Sequence, residues 1–289
     1  MDKTAALNRA LLSLEGLSLG DAFGELFFSI SPVSVKAEEL PPGPWRWTDD
    51  THMAISIVEI LKTHGRIDQD ALARAFARRY GEEPYRGYAG GASRLLRALL
   101  DGADWREVSP RLFGGGSYGN GAAMRASPIG GYFTEDPERA AYEAQRSAVV
   151  THAHIEGQVG AMAVAVAAAL AGGAAPPAGG EFLREVLKFL PESLTRDRIR
   201  LAMEIPPDRL EEAVLRLGNG SEVSAQDTVP FCLWSAAHHL FDFEEALWWT
   251  VRGLGDRDTT CAIVGGIVAL SALNLPSEWL DRREPLPSF

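Results

Sequence analysis

The chain is short of cysteine, of positive charge and of long apolar runs. Cys232 and Cys261 are its two cysteines, both in apolar contexts and without CxxC spacing. That excludes a disulfide framework and leaves two buried, reduced thiols as the expectation, with a cytoplasmic location to match. Lysine and arginine number 28 against 39 aspartates and glutamates, for a formal net charge of −11 over 289 residues. Such a balance argues against a non-specific nucleic-acid coat, which needs basic patches. It also repels an anionic substrate unless bound cations neutralise the site locally. The longest apolar stretch, Val159 to Ala171, is Ala-rich and about a dozen residues long, where a membrane helix needs ~20. It reads as a buried core helix. The N-terminus lacks a basic region followed by an apolar run and a small-residue cleavage site.

Alternating runs of strand length are missing too; Val33-Ser34-Val35 is too short to count. Helical periodicity stands in their place. From Ala54, the apolar residues Ile57, Val58 and Leu61 recur at i+3, i+4 and i+7. Comparable patterns predict helices over about Ala5–Phe28, Asp70–Arg79, Gly91–Leu100, Pro137–Val150, Ile155–Ala171 and Glu181–Leu190. Others are predicted over Arg198–Glu204, Pro207–Leu217, Thr228–Leu240, Phe243–Arg252 and Thr259–Leu273. The rigid segment Leu40-Pro41-Pro42-Gly43-Pro44 delivers the chain to the first acidic cluster. Gly172 to Gly180 reads as a surface loop and not an interdomain linker. No internal repeat of fixed period is evident. The expectation is a single all-α domain spanning residues 1–289.

Two acidic clusters carry most of the chemistry. Trp47-Thr48-Asp49-Asp50-Thr51 lies near the start and Asp256-Arg257-Asp258-Thr259-Thr260 near the end. Each pairs two carboxylates with hydroxyls and is followed at once by a helical pattern. Hard divalent cations take oxygen ligands of this kind. The plainer reading is helix capping, with Thr48 or Asp49 at the N-cap and acids favoured by the helix dipole. Capping does not explain why Asp50 shares the buried stripe of Ala54, Ile57 and Val58, where a carboxylate is costly unless paired or metal-bound. Asp258 likewise shares a face with Ala262, Gly265, Gly266 and Ala269, small residues that let another helix or a ligand approach closely.

A third element is the loop Gly114-Gly115-Gly116-Ser117-Tyr118-Gly119-Asn120-Gly121. Repeated glycine lets backbone N–H groups converge on an anion. Ser117 can donate to phosphate, and Tyr118 can stack on a base or sugar. The loop is neither a Walker loop, since no Gly-Lys-Ser/Thr follows, nor a Rossmann fingerprint, since no strand precedes it. Alone it is compatible with an ordinary turn. Thr151-His152-Ala153-His154 precedes a long helix; one histidine can cap while the other faces a pocket, and no second His or Cys cluster exists to complete a zinc site. His238-His239 and Trp248-Trp249 read as packing.

Taken together and in this order, these motifs resemble the ADP-ribosylglycohydrolase family, which includes the dinitrogenase reductase-activating glycohydrolase. Gly16-Leu17-Ser18-Leu19-Gly20-Asp21-Ala22-Phe23-Gly24 looks like the family's first helix, and Thr48-Asp49-Asp50-Thr51 like its first metal motif. Gly116 to Arg125 matches the ADP-ribose loop almost letter for letter. Thr151-His152, Asp227-Thr228-Val229-Pro230 and Asp256-Arg257-Asp258-Thr259-Thr260 follow in family order. The resemblance implies a compact, single-domain orthogonal helical bundle that binds two Mg²⁺ or Mn²⁺ ions. It implies Thr48, Asp49, Asp50, Asp256, Asp258 and Thr259 as metal ligands, with Asp258 bridging. It further implies Gly115, Gly116, Ser117, Tyr118, Gly119, Asn120, Gly121 and His152 as the ADP-ribose site.

The implied reaction is hydrolysis of the bond joining ADP-ribose to a modified protein or a small acceptor, by a monomer. Proton transfer falls to Asp49, Asp256 or Glu25. Alternatives are a metal-dependent phosphoester hydrolase of nucleotides and a noncatalytic ADP-ribose binder. Two positions depart from the family pattern. Phe28 stands where a Glu is frequent, with Glu25 one turn earlier, and Arg257 stands where Thr is usual, either pointing outward or meeting a substrate phosphate.

Overall fold

A computed structural model describes residues 2–28, 39–272 and 274–289. The segment Val33-Ser34-Val35 and residue Leu273, at the end of the last long predicted helix, lie outside these. In chain order the helices are α1 (Lys3–Leu26), α2 (Asp49–His64), α3 (Gln69–Glu82), α4 (Gly90–Leu100) and α5 (Trp105–Arg111). Next come α6 (Ser127–Tyr132), α7 (Pro137–Val149), α8 (Ile155–Ala171), α9 (Gly179–Leu187) and α10 (Leu194–Ala202). The series closes with α11 (Leu210–Leu217), α12 (Ala225–His238), α13 (Phe243–Arg252), α14 (Arg257–Ala272) and α15 (Ser277–Arg282). Two 3₁₀ turns, Leu112–Gly114 and Asn120–Ala122, bracket the glycine-rich loop. The described residues form no strand, and their isolated bridges join Trp45 to Arg283 and Gly119 to Ser224. The all-α expectation holds.

The centre of the molecule is the pair α1 and α14, one near each end of the sequence. They cross at backbone contact because three glycines one turn apart face the partner helix. A Cβ built on Gly16, Gly20 or Gly24 would lie 2.4, 2.1 or 2.2 Å from the carbonyl oxygens of Gly265, Cys261 and Arg257. No side chain fits such a gap, so glycine is required along this seam. The small-residue face predicted for α14 is therefore a helix-packing face. Its consequence is functional: the crossing brings Asp21 on α1 and Asp258 on α14 to one level.

The Ala-rich α8 is buried from Val159 to Ala169, as predicted, and among the described residues no helix is long and apolar enough to cross a membrane. The segment between α8 and α9 is the expected loop. An aromatic cluster closes the far end of α1, where Phe23 stacks on Trp279 at 4.7 Å and meets Trp248 edge-on at 4.9 Å. Trp248 is buried, while Trp249 stacks on His239 at 5.3 Å. Both pairs pack, as predicted.

Several predictions of helix extent need correction. Helices α5, α6 and α15 were not foreseen. In α6 the pair Gly130-Gly131 imitates a breaker, but the helix is wedged so tightly that a Cβ on Gly130 would lie 2.1 Å from Ala165 O. Helix α10 starts at Leu194, earlier than Arg198, because Ser193 caps it and the Glu156 carboxylate of α8 accepts from Leu194 N, Thr195 N and Thr195 Oγ1. That cap comes from across the fold, and local periodicity carries no trace of it.

Candidate active site

Thr48 is the N-cap of α2, as the capping reading has it, and its Oγ1 accepts from Asp50 N. The cap does not exhaust the motif. Asp50 is buried at 1% exposure, and its Oδ1 has no hydrogen-bond partner. Asp258, in the first turn of α14, likewise has an unpartnered Oδ1. Oxygens from Asp21, Asp50 and Asp258 all lie within 4.8 Å of one another. About two hundred residues separate the two motifs, yet their carboxylates share one buried point.

Asp21 organises this point, a role not assigned from sequence although its Gly20-Asp21-Ala22 context was noted. Its Oδ2 accepts from Thr48 N at 2.9 Å, Thr51 N at 3.1 Å and Thr51 Oγ1 at 2.5 Å. Its Oδ1 accepts from Thr48 Oγ1 at 2.9 Å. The carboxylate thus holds the N-terminus of α2 from α1. Asp21 follows Leu14 and Leu17 at i+7 and i+4, and a carboxylate on that apolar stripe is the signal that could have found it.

Electrostatically the cluster is overloaded. Burial raises Asp21 to about 6 against its four hydrogen bonds. Burial and then Asp21 raise Asp49 to about 7. Burial, with the neighbouring carboxylates behind it, holds Asp50 and Asp258 well above the usual carboxylate range. A buried, all-oxygen donor set with partnerless oxygens has the chemistry to hold a hard cation.

The cluster forms one wall of a cavity of about 410 Å³. Asp49, Asp50, Asp256, Asp258 and Thr259 line it, facing Ser117, Tyr118, Gly119, Asn120, Gly121 and His152. Leu95, Leu96, Leu112 and Phe113 supply an apolar side. Thr48, Gly115, Gly116 and Glu25 do not line the cavity. Thr48 stands behind it, bonded to Asp50 at 3.1 Å. Gly116, at φ 88°, packs against the backbone of Ala153 and His154 and so sets the entry of the loop.

Asn120 joins the glycine-rich loop to the second motif, its Nδ2 donating to Asp256 Oδ2 at 2.7 Å and to Thr228 Oγ1 at 3.0 Å. Ser117 Oγ accepts from Gly119 N, which leaves its own proton free to donate. Tyr118 is half-exposed with its ring edge-on to His154. A second segment, 223–225, clamps the loop: Val223 O accepts from Asn120 N, and Tyr118 O accepts from Ala225 N.

The two departures from the family pattern meet each other. Arg257 donates to Phe27 O at the C-terminal end of α1, where a cation is favoured by the helix dipole, and lies 5.5 Å over the Phe28 ring. It neither points free into solvent nor lines the cavity. Glu25 is exposed, but partial desolvation, followed by Asp21 and Asp256, raises its carboxyl above the usual range.

The fold is all-helical, and its buried carboxylates face a glycine-rich loop across one cavity. Comparison with known proteins narrows the class. The ADP-ribosylglycohydrolase family profile matches residues 2–286, and the chain belongs to that family. It is 30% identical over 279 residues to an uncharacterized protein of Archaeoglobus fulgidus, covering 92% of this chain and 88% of that one. It is 29% identical to ADP-ribosylhydrolase ARH3 of Homo sapiens, covering 91% and 85%. Against the ADP-ribosylarginine hydrolase Tri1 of Serratia proteamaculans it is 23% identical, covering 97% and 76%. A solved structure titled ADP-ribosylglycohydrolase-related protein complex superposes with a TM-score of 0.66 at 23% identity, over 97% of this chain and 94% of that one, and shows the same fold.

Proposed function

We propose that this protein is a metal-dependent ADP-ribosylglycohydrolase of one domain that releases ADP-ribose from a modified protein or a small acceptor. The observation that carries the reading is the convergence of Asp50 and Asp258, each with a buried oxygen lacking a partner, opposite the Ser117–Gly121 loop. Thr48, Asp49, Asp50, Asp256, Asp258 and Thr259 would hold two Mg²⁺ or Mn²⁺ ions, and Asp21 would hold the first motif in place. When bound, such ions supply Lewis acidity and the positive charge that an anionic ligand needs in this acidic protein.

The chain's own residues divide the remaining work. The backbone of Ser117 to Gly121 and the Ser117 hydroxyl bind phosphate oxygens. Tyr118 and Phe113 offer ring faces to the adenine. Asn120 keeps Asp256 oriented toward the anomeric carbon. Asp49, Asp256 or Glu25 takes a proton from the water whose oxygen bonds to the anomeric carbon, and the departing nitrogen or oxygen of the acceptor gains a proton as the glycosidic bond breaks through an oxocarbenium-like transition state. The apolar side of the cavity excludes bulk water.

Incubation with Mg²⁺ and a panel of arginine-linked, serine-linked and polymeric ADP-ribose tests the reading. Free ADP-ribose, released from at least one linkage and abolished by chelation, is the expected result. AMP would mean phosphoester cleavage, and binding without product would mean a noncatalytic binder; either outcome overturns the proposal.

A further inference from the structure

The hydroxyl of Thr151 sits between two nitrogens. Arg125 Nη2 donates to it at 2.8 Å, and His152 Nδ1 lies 2.7 Å away. Arg125 is fully buried with no carboxylate bonded to it. Its other hydrogen bonds go to Gly121 O, Ser147 O and Met53 Sδ, and the Phe76 ring lies 4.4 Å from its guanidinium. A guanidinium only donates, so in that pair Thr151 is the acceptor and keeps one proton to give. Among the described residues, His152 Nδ1 is the partner left to receive it. Were Nδ1 to carry the proton, the hydroxyl would accept twice and its own proton would be buried without a partner. That arrangement is disfavoured by roughly tenfold or more.

From this geometry we infer that Arg125 and Thr151 are positioning residues that fix His152 as the Nε2–H tautomer, a hydrogen-bond donor to a ligand oxygen held over the glycine-rich loop. The other ring nitrogen faces that loop: a Cβ built on Gly119 or Gly121 would lie 3.4 or 3.2 Å from Nε2. Glycine at both positions keeps the N–H edge open to the cavity. Burial, with the Arg125 charge behind it, lowers the His152 pKa to about 3, so the ring is neutral at pH 7 and its tautomer is a defined quantity. The lone pair is then turned to Thr151 and away from the ligand. His152 therefore cannot take a proton from water; its part is to donate to a phosphate or hydroxyl oxygen. The inference rests on the proposed function for the identity of the ligand, but the tautomer itself is a property of the free protein.

The test is a long-range ¹H–¹⁵N correlation of the imidazoles in the metal-free, ligand-free protein at pH 7, with His152→Gln assigning the signal. The expected pattern is unprotonated Nδ1 and protonated Nε2. A protonated Nδ1 would overturn the inference. Thr151→Val removes the hydroxyl at nearly constant volume; it should let both tautomers appear and weaken ADP-ribose binding by about 5–10-fold, and Thr151→Ser should restore both. A folded Thr151→Val protein that keeps the wild-type tautomer also overturns it. Wild-type protein showing Nε2–H but no affinity for ADP-ribose supports the relay and sinks the ligand assignment instead.

Discussion

Replacing Asp50 by Asn should stabilise the metal-free protein and destroy its response to metal. Oxygens of Asp21, Asp50 and Asp258 lie within 4.8 Å of one another, and Asp50 is 1% exposed. Two unit charges at that separation repel by ~3.5 kcal/mol at an effective dielectric near 20. Proton uptake relieves part of this, which is why burial and neighbouring carboxylates push these pKa values up. A net gain of ~1–3 kcal/mol is expected for the neutral isostere, a rise in melting temperature of roughly 2–6 °C in EDTA.

The pH dependence has a definite sign. Asp21 at about 6 and Asp49 at about 7 stand above their unfolded values, so the folded protein binds the extra protons. Metal-free wild type therefore gains stability as pH falls through 7 and 6 and loses it as pH rises through them, and Asp50→Asn should flatten that slope. Millimolar Mn²⁺ should reverse the ranking, because a ligand at a thousand times its Kd contributes ~4 kcal/mol to the wild type alone. Thermal melts of both proteins, with and without Mn²⁺, check all of this. A variant that melts lower than wild type in EDTA and still shows the wild-type Mn²⁺ shift would refute the reasoning.

The helical class was legible in the sequence, and so were the candidate carboxylates; the contacts between distant helices were not, for a physical reason. Asp50 and Asp258 betray themselves because a carboxylate on an apolar stripe is a local contradiction, readable from spacing alone. The seam between α1 and α14 was half legible. Ala262, Gly265 and Gly266 announce a close approach, but nothing in them says that Gly16, Gly20 and Gly24 are the partners. Asp21 was missed as the organiser of the first motif because its hydrogen bonds run to residues some thirty positions away, at Thr48 and Thr51. Helix α10 began earlier than its pattern for the same reason, its cap arriving from Glu156. The fates of Phe28 and Arg257 were illegible singly and plain as a pair, since each makes the other's environment. Sequence pattern reports a residue's own neighbourhood; it is silent where the partner comes from a distant helix.

The remaining predictions concern single positions. Gly20→Ala should cost at least ~1–3 kcal/mol in urea unfolding, because its Cβ would lie 2.1 Å from Cys261 O and the helices must part; an unchanged midpoint would mean that the seam is looser than described. Gly119→Val should weaken ADP-ribose binding by calorimetry about tenfold or more, since its Cβ position is already 3.2 Å from Ser117 Oγ and 3.4 Å from His152 Nε2; undiminished affinity in a folded variant would count against the cradle. Glu25→Gln should lower turnover by ~10²-fold with metal affinity and ADP-ribose affinity retained if Glu25 is the proton acceptor, and near-wild-type turnover would leave that task to Asp49 or Asp256. Val223→Gly separates stability from recognition. Val223 is a β-branched residue held at φ 53° on the cavity wall, half-exposed, a conformation that costs of order 1 kcal/mol and that glycine adopts freely. The variant should therefore unfold no more readily than wild type. It should also discriminate less between bulky and small acceptors, because the wall beside Asn120 and Asp256 has lost its side chain. A strained residue kept for packing alone would show the opposite, a drop in stability with the ranking of acceptors unchanged.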